Sequence, residues 1–227
     1  MRPFPLMLFA AGFGTRMGAL TANKPKPLIE VAGKPLIDHA LTIAEAAKVG
    51  KTVVNLHYLG DQIAHHLQGR QIELSWEHEQ ILETGGGLKA ALPLLGADTV
   101  FTLNTDAVWS GQNPLTELQA AWNPEIMDAL LLLLPAEKAL GHSGIGDFLL
   151  APDGRIRRAS GAAAPVYLGA QILKTQALTA ITEPVFSLNL LWDQAIAQGR
   201  AFGLIHQGGW CDVGRPEGIA VAETLHV

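Results

Sequence analysis

Apolar positions along this chain change period several times, and each change marks an element. Leu6 to Ala11 is a continuous apolar run closed by Gly12, the pattern of a strand covered on both faces at the middle of a parallel sheet. From Pro35 to Val49, apolar residues at Leu36, Ile37, Ala40, Leu41, Ile43, Ala44 and Ala47 recur at helical spacing, with Pro35 suited to the first turn and Gly50 to the stop. The alternation continues through a strand at Thr52 to Leu56, a helix near Asp61 to Leu67 and a strand at Gln71 to Trp76. A helix near Thr84 to Leu92 and a strand at Thr99 to Asn104 follow. Strands alternating with helices predict an α/β fold around a parallel sheet.

Past Asn113 the rhythm holds for one more helix and a strand at Asp128 to Leu134, then breaks. Phe148 to Leu150, Pro152-Asp153-Gly154 and Ile156 read as a hairpin with a turn at its tip. Pro165 to Leu173 reads as a strand, Leu188 to Ala197 as a helix, and Phe202 to His206 as a last strand before Trp210-Cys211-Asp212. The expectation is a doubly wound front half carrying an inserted, partly antiparallel back half. No repeat, low-complexity segment or linker divides residues 1–227, so one domain is expected.

Composition narrows the function. With 16 Lys+Arg against 21 Asp+Glu, a net charge of -5 and no basic run, the chain has no electrostatic footprint for nucleic acid or an anionic membrane. Cys211 stands alone, which excludes an intramolecular disulfide framework and a cysteine-built metal site. Met1 to Gly12 lacks a basic leader and runs straight into a glycine turn, so it reads as a buried strand rather than a signal peptide. The longest later apolar run, Ala129 to Leu134, falls short of the ~20 residues a membrane span needs. A cytoplasmic protein, monomeric or a small homo-oligomer, is expected.

The first strand opens into Ala10-Ala11-Gly12-Phe13-Gly14-Thr15-Arg16-Met17, and Lys24-Pro25-Lys26-Pro27 follows before the first long helix. Glycines let backbone N–H groups converge on phosphate oxygens, and Arg16 with a lysine supplies charge to neutralise them. Ala11, Gly12, Gly14 and Thr15 are therefore candidate nucleotide contacts, the alternative being a tight turn with a solvated arginine. The dinucleotide pattern G-x-G-x-x-G fails because Met17 stands at the third glycine, and the P-loop pattern is absent.

Gly12 to Met17, read as G-x-G-T-R-M, and Pro25-Lys26-Pro27 together resemble the signature of the sugar nucleotidyltransferase family. The resemblance covers nearly the whole chain, because later family elements occur in order. It implies a Rossmann-like doubly wound mixed sheet, the nucleotide-diphospho-sugar transferase fold, with nucleotide features over about residues 1–125 and the sugar side over about 126–227. It implies Arg16 and Lys26 as the catalytic cations on the reacting phosphates, with Lys24 only auxiliary. Leu82-Glu83-Thr84-Gly85-Gly86-Gly87 and the nearby Gln80 occupy the family's base-reading position, so Gln80, Glu83, Thr84, Gly85 and Gly86 are nucleotide candidates. Read without the family, the same glycines suit a helix N-terminus that Thr84 caps. The form L-E-T-G-G-G looks like that of the small uridylyltransferases acting on N-acetylmuramate 1-phosphate, where many other members have L-G-T-A-G.

Asp106 follows the apolar strand ending at Asn104, which places it at the carboxyl end of a strand, where open α/β sheets bind ligands. Mg²⁺ takes one or two carboxylates plus phosphates and water, and Asp212, in W-x-D-x-G, is the second acid that the resemblance supplies. Thr105 stands where the family often has glycine and is expected to crowd the nucleotide. For the sugar, the resemblance points to Asn104, Asp147, Tyr167, Gly169 and Asn189. His142, in the loop Gly141-His142-Ser143-Gly144, reads either as part of a segment that closes over the sugar or as a solvated loop histidine. Trp109, Trp122, Trp192 and the pairs His65-His66 and Glu77-Glu79 read as packing and surface.

The function implied is Mg²⁺-dependent transfer of a nucleoside monophosphate from a nucleoside triphosphate to a sugar 1-phosphate, with UTP and N-acetylmuramate 1-phosphate as the expected pair. A guanylyltransferase for mannose 1-phosphate, a thymidylyl- or cytidylyltransferase, and a binding homologue without chemistry are the alternatives. A nicotinamide-dependent oxidoreductase is disfavoured by the missing third glycine. Some family members carry a C-terminal β-helix with acyltransferase activity, which the 15 residues after Asp212 do not accommodate.

Overall fold

The computed structural model describes residues 3–225. In chain order its strands and helices are β1 (Leu6–Phe9), β2 (Glu30–Val31), β3 (Lys34–Pro35), α1 (Leu36–Ala46), β4 (Thr52–Leu56), α2 (Gly60–His66) and β5 (Ile72–Trp76). There follow α3 (Glu83–Leu95), β6 (Thr99–Asn104), β7 (Ala107–Ser110), α4 (Pro114–Ala121), β8 (Ala129–Leu134) and β9 (Ala139–Leu140). The chain ends with β10 (Phe148–Leu150), β11 (Ile156–Arg158), β12 (Val166–Lys174), α5 (Asn189–Ala197), β13 (Ala201–Ile205), β14 (Gly209–Asp212) and α6 (Glu217–Glu223).

Seven strands form one sheet in the order β13-β8-β12-β6-β1-β4-β5. The strands β6, β1, β4 and β5 pair in parallel, and β13 pairs in parallel with β8. Only β12 is reversed, antiparallel to both β6 and β8. The fold is therefore the expected mixed α/β sheet with a partly antiparallel back half, which supplies three strands to the main sheet and a separate hairpin, β10–β11.

Alternation within the strands builds the two faces. Leu6, Leu8, Leu130, Leu132 and Leu134 pack with Ile37, Ala40 and Leu41 of α1 and Leu115 and Leu118 of α4. Met7, Leu131 and Leu133 face the other way, toward Leu88 and Leu95 of α3 and Leu191 and Trp192 of α5. Both faces being covered explains why β1 and β8 read as unbroken apolar runs rather than alternating ones.

The first strand ends two residues earlier than its apolar run suggests. The Ala10 amide donates to Asn55 Oδ1 at 2.8 Å, so the chain leaves the ladder there and enters the glycine turn. Helix α3 outruns its expected end at Leu92, carries Pro93 in its last turn and stops at Gly96, which has φ 62. Trp210-Cys211-Asp212 belongs to β14, the central strand of a small sheet ordered β7-β14-β9. That sheet lies at the carboxyl end of β6, since only two residues separate β6 from β7.

Candidate active site

The carboxyl ends of β1, β4 and β6 open into a cavity of ≈ 290 Å³. Ala11, Gly12, Gly14, Thr15, Arg16, Lys26, Glu83, Thr84, Asn104 and Asp106, all singled out from the sequence, line it. Asn55, Ile81, Thr105 and Gly214 also line it. Parallel strands end at one edge of the sheet, so turns far apart in sequence meet there.

The glycine turn is shaped by close approach. Gly14 has φ +65, and a Cβ on it would lie 2.9 Å from Cβ of Lys26. The turn is thus pressed against the P-K-P segment, and the Thr21 hydroxyl donates to the Gly14 carbonyl at 3.0 Å. Met17, 1% exposed, packs in a cluster with Val108, Cys211 and Val213. That anchor holds neighbouring Arg16 on the cleft side, toward β14. Lys24 turns outward and pairs with Glu30 at 3.2 Å, so it takes no part in the cleft.

Lys26 is only 8% exposed, and its Nζ donates to Asp106 Oδ2 at 2.7 Å. Asp212 lies close by: the Val213 amide donates to the Asp106 carbonyl at 2.9 Å, and Asp212 pairs with Ala107 across β14 and β7. A Cβ on Gly214 would stand 2.8 Å from Asp212 Oδ2 and 3.0 Å from Arg16 Nη1, so this glycine makes room for both groups. Burial, followed by the charge of Asp106, holds the Asp212 carboxyl above the usual carboxylate range, with Lys26, Arg16 and His142 acting against the rise. Two carboxylates set against each other beside two cations form a site of hard oxygen donors, and the donor chemistry fits a magnesium ion. Among the described residues no group of three or more His, Cys, Asp and Glu could hold a metal. A divalent ion here would complete its shell with phosphate and water.

Thr105 does not crowd the cleft with its hydroxyl, which donates to the Phe9 carbonyl at 2.7 Å. The glycines of L-E-T-G-G-G do something other than present free peptide groups to a base. The amides of Gly85 and Gly86 both donate to the Phe186 carbonyl, at 2.9 and 3.0 Å. A Cβ on Gly85 would meet the Phe186 ring at 2.4 Å, and one on Gly86 the Pro184 carbonyl oxygen at 2.2 Å. These two glycines let residues 184–186 lie directly on α3. Thr84 does not cap the helix; its hydroxyl accepts from the Leu188 amide at 3.0 Å. Gln80 is exposed on the loop that leads to Ile81.

On the sugar side, Asn104 alone of the five candidates lines the cavity. Gly169, at φ +81, packs on it, and a Cβ there would lie 2.8 Å from Asn104 Nδ2. Asp147 Oδ2 accepts from the Tyr167 amide at 2.8 Å. The Tyr167 phenol points inward to Thr102, and burial pushes its pKa up, which leaves the Tyr167 backbone as the part of this residue available to a sugar. Asn189 is exposed at the start of α5 and donates to Ser187 Oγ at 2.9 Å. His142 Nε2 has no hydrogen-bond partner, and the ring sits 6.5 Å from that of Trp210.

Glu77, a surface residue by its sequence, is 3% exposed instead. Its Oε1 accepts from Asn55 Nδ2 and its Oε2 from the Leu82 amide, both at 2.7 Å. Asn55 itself escapes the sequence reading. The available signal is a lone amide within Thr52 to Leu56, a strand buried throughout.

The match to known proteins follows this geometry. A model of the MobA-like NTP transferase domain matches residues 6–144. The chain belongs to the MobA-like NTP transferase family. It is 42% identical to an N-acetylmuramate alpha-1-phosphate uridylyltransferase of Caulobacter vibrioides, the alignment covering 96% of this chain and 95% of that one. It is 35% identical to a protein of the same name from Neisseria meningitidis, with 96% of each covered. Among solved structures, HddC of Yersinia pseudotuberculosis, complexed with GMP-PN, superposes with a TM-score of 0.81 at 18% identity, over 99% of this chain and 100% of that one. At that identity the likeness speaks for the fold. As an NTP transferase the protein is an enzyme of nucleotidyl transfer, and no helix among its described residues is long and apolar enough to cross a membrane.

Proposed function

We propose that this NTP transferase moves the uridylyl group of UTP onto N-acetylmuramate 1-phosphate in the cytoplasm, releasing pyrophosphate. An oxygen of the sugar phosphate attacks the α-phosphorus of UTP; that bond forms as the bond from the α-phosphorus to the bridging oxygen breaks. The electron pair leaves with pyrophosphate, so neither a protein nucleophile nor a proton transfer is required. The observation that carries the reaction is the meeting of the glycine turn, Arg16, Lys26 and Asp106 in one cleft. The substrate pair rests on the similarity to two uridylyltransferases along nearly the full chain.

Lys26 and Arg16 counter charge as it shifts onto the departing phosphates. Gly12 and Gly14 leave the backbone of the turn open to phosphate oxygens. Asp106 and Asp212 would hold Mg²⁺, which when bound screens the phosphate oxygens and helps fix the α-phosphate for attack. The Lys26–Asp106 ion pair keeps the ammonium oriented before substrate arrives, which lowers the cost of ordering it later. Asn104, held against Gly169, faces the acceptor side of the cleft.

Pyrophosphate release with N-acetylmuramate 1-phosphate, comparing UTP with GTP, dTTP and CTP, tests this reading, with glucose and mannose 1-phosphates as competing acceptors. A preference for UTP and the muramate supports it. GTP with mannose 1-phosphate would keep the mechanism and replace the substrates, and no release with any pair would sink the reaction.

A further inference from the structure

We propose that Asn55 and Glu77 form a buried relay that sets the nucleotide turn and the base loop relative to each other, making both residues positioning residues for the nucleotide. The relay runs from the Ala10 amide to Asn55 Oδ1 at 2.8 Å and from Asn55 Nδ2 to Glu77 Oε1 at 2.7 Å. It continues from the Leu82 amide to Glu77 Oε2 at 2.7 Å. Ala10 opens the glycine turn and Leu82 opens the base loop, so one amide and one carboxylate tie together the two segments that bracket the cleft.

Three further observations belong to this relay. Asn55 and Glu77 are each 3% exposed, so an unmade bond would leave a buried polar group without water. Glu83, the residue after Leu82, lines the cleft with φ 59, a left-handed conformation that costs a non-glycine residue energy and persists only where neighbours fix it. The Leu82 amide bond to Glu77 is such a fix, and the backbone of Glu77 is itself held by its amide to the Leu56 carbonyl at 2.9 Å. The third glycine of L-E-T-G-G-G is explained as well: a Cβ on Gly87 would lie 2.7 Å from Glu77 Oε1 and 2.9 Å from Asn55 Nδ2.

The direction of the bonds makes the relay testable. Glu77 accepts twice and donates nothing, as a carboxylate does. In Glu77→Gln the side chain keeps its size but can accept from only one of the two donors, leaving an NH₂ group facing another N–H. In Asn55→Asp two carboxylate oxygens face each other. The double variant, Asn55→Asp with Glu77→Gln, restores every bond with the charge moved from one side chain to the other. The carboxylate now at position 55 accepts from the Ala10 amide and from the side-chain amide now at position 77, whose oxygen accepts from the Leu82 amide.

The role in catalysis rests on the proposed nucleotidyl transfer, so two measurements are needed. In the free protein, amide hydrogen exchange at Ala10 and Leu82 is expected to speed up in Glu77→Gln at both positions, although Ala10 does not touch Glu77, and to slow again in the double variant. In steady-state pyrophosphate release, each single variant is expected to raise the KM for the nucleotide about tenfold while the KM for the sugar phosphate stays near wild type, and the double variant to recover most of the loss. Exchange confined to Leu82, equal shifts of both KM values, or singles and double equally impaired would overturn the relay. If wild-type protein releases no pyrophosphate, the proposed reaction fails while the exchange result still judges the relay.

Discussion

Gly12→Ala and Gly86→Ala are the same chemical change at two glycines of the site, and the structure assigns them opposite consequences. At Gly86 a Cβ would sit 2.2 Å from the Pro184 carbonyl oxygen and 3.0 Å from Leu82 Cβ. Neither the backbone of residues 184–186 nor α3 can yield without breaking the two bonds from Gly85 and Gly86 to the Phe186 carbonyl. Overpacking of this kind costs about 1–3 kcal/mol and each of the two lost hydrogen bonds about 0.5–1.5 kcal/mol, so a loss of about 2–6 kcal/mol is expected. For a chain of this size that lowers Tm by about 4–24 °C. At Gly12 nothing lies within 4 Å of the new methyl and φ is not in the left-handed region, so Tm should stay within about 2 °C of wild type. Gly12 nevertheless lines the cleft, and the methyl would occupy space that phosphate oxygens need, so turnover with UTP should fall about tenfold or more. Calorimetry and pyrophosphate release on both variants decide the matter. A fully active Gly12→Ala protein would refute the phosphate role of the turn, and an unchanged Tm for Gly86→Ala would refute the close approach of residues 184–186 to α3.

Lys26→Ala should lower kcat about 10²–10³-fold, the usual effect of removing one electrostatic stabiliser, while circular dichroism stays native because Asp106, with a side chain 32% exposed, can be resolvated. Retention of a tenth of the wild-type rate would remove Lys26 from the mechanism. Burial, opposed by the bond to the Val31 carbonyl, holds the His39 pKa below its ordinary value. A group that is neutral when folded favours unfolding as it charges, so stability should be full above about pH 6.5 and decline as pH falls toward the lowered pKa. His39→Gln should flatten that decline in denaturant titrations between pH 7 and 5; an unaltered slope would contradict the assignment. Burial, then the charge of Asp212, pushes the Cys211 thiol up to about 11, so iodoacetamide at pH 8 should label it only after denaturation. Rapid labelling of the native protein would show that β14 opens readily.

Elements that bury a stripe of their own sequence are legible from the chain. The strands β1 and β8 are unbroken apolar runs because helices cover both faces, and α1 and α5 announce themselves by spacing. The sheet β7-β14-β9 is not legible: its strands have four, four and two residues and come from three distant parts of the chain, so pairing rather than periodicity defines it. In the site, Arg16, Lys26 and Asp106 are recognisable because their chemistry is carried by motifs. Gly85 and Gly86 mislead because a glycine permits close approach by any neighbour, and sequence does not say whether that neighbour is a base or Pro184. Glu77 misleads because the acid follows the last residue of β5 and looks like surface until register places it behind Asn55.

The reversed strand β12 has a consequence for how the chain is made. It fills the gap between β6 and β8, and it emerges from the ribosome after both. Until residue 174 is synthesised, the edges of β6 and β8 that β12 will cover have no partner, and unpaired edges of apolar strands invite pairing with other chains. The segment recognised by the family model ends at residue 144, ahead of β12. That segment carries most of the nucleotide cleft yet should aggregate if expressed alone, because the strand that closes its sheet is encoded downstream.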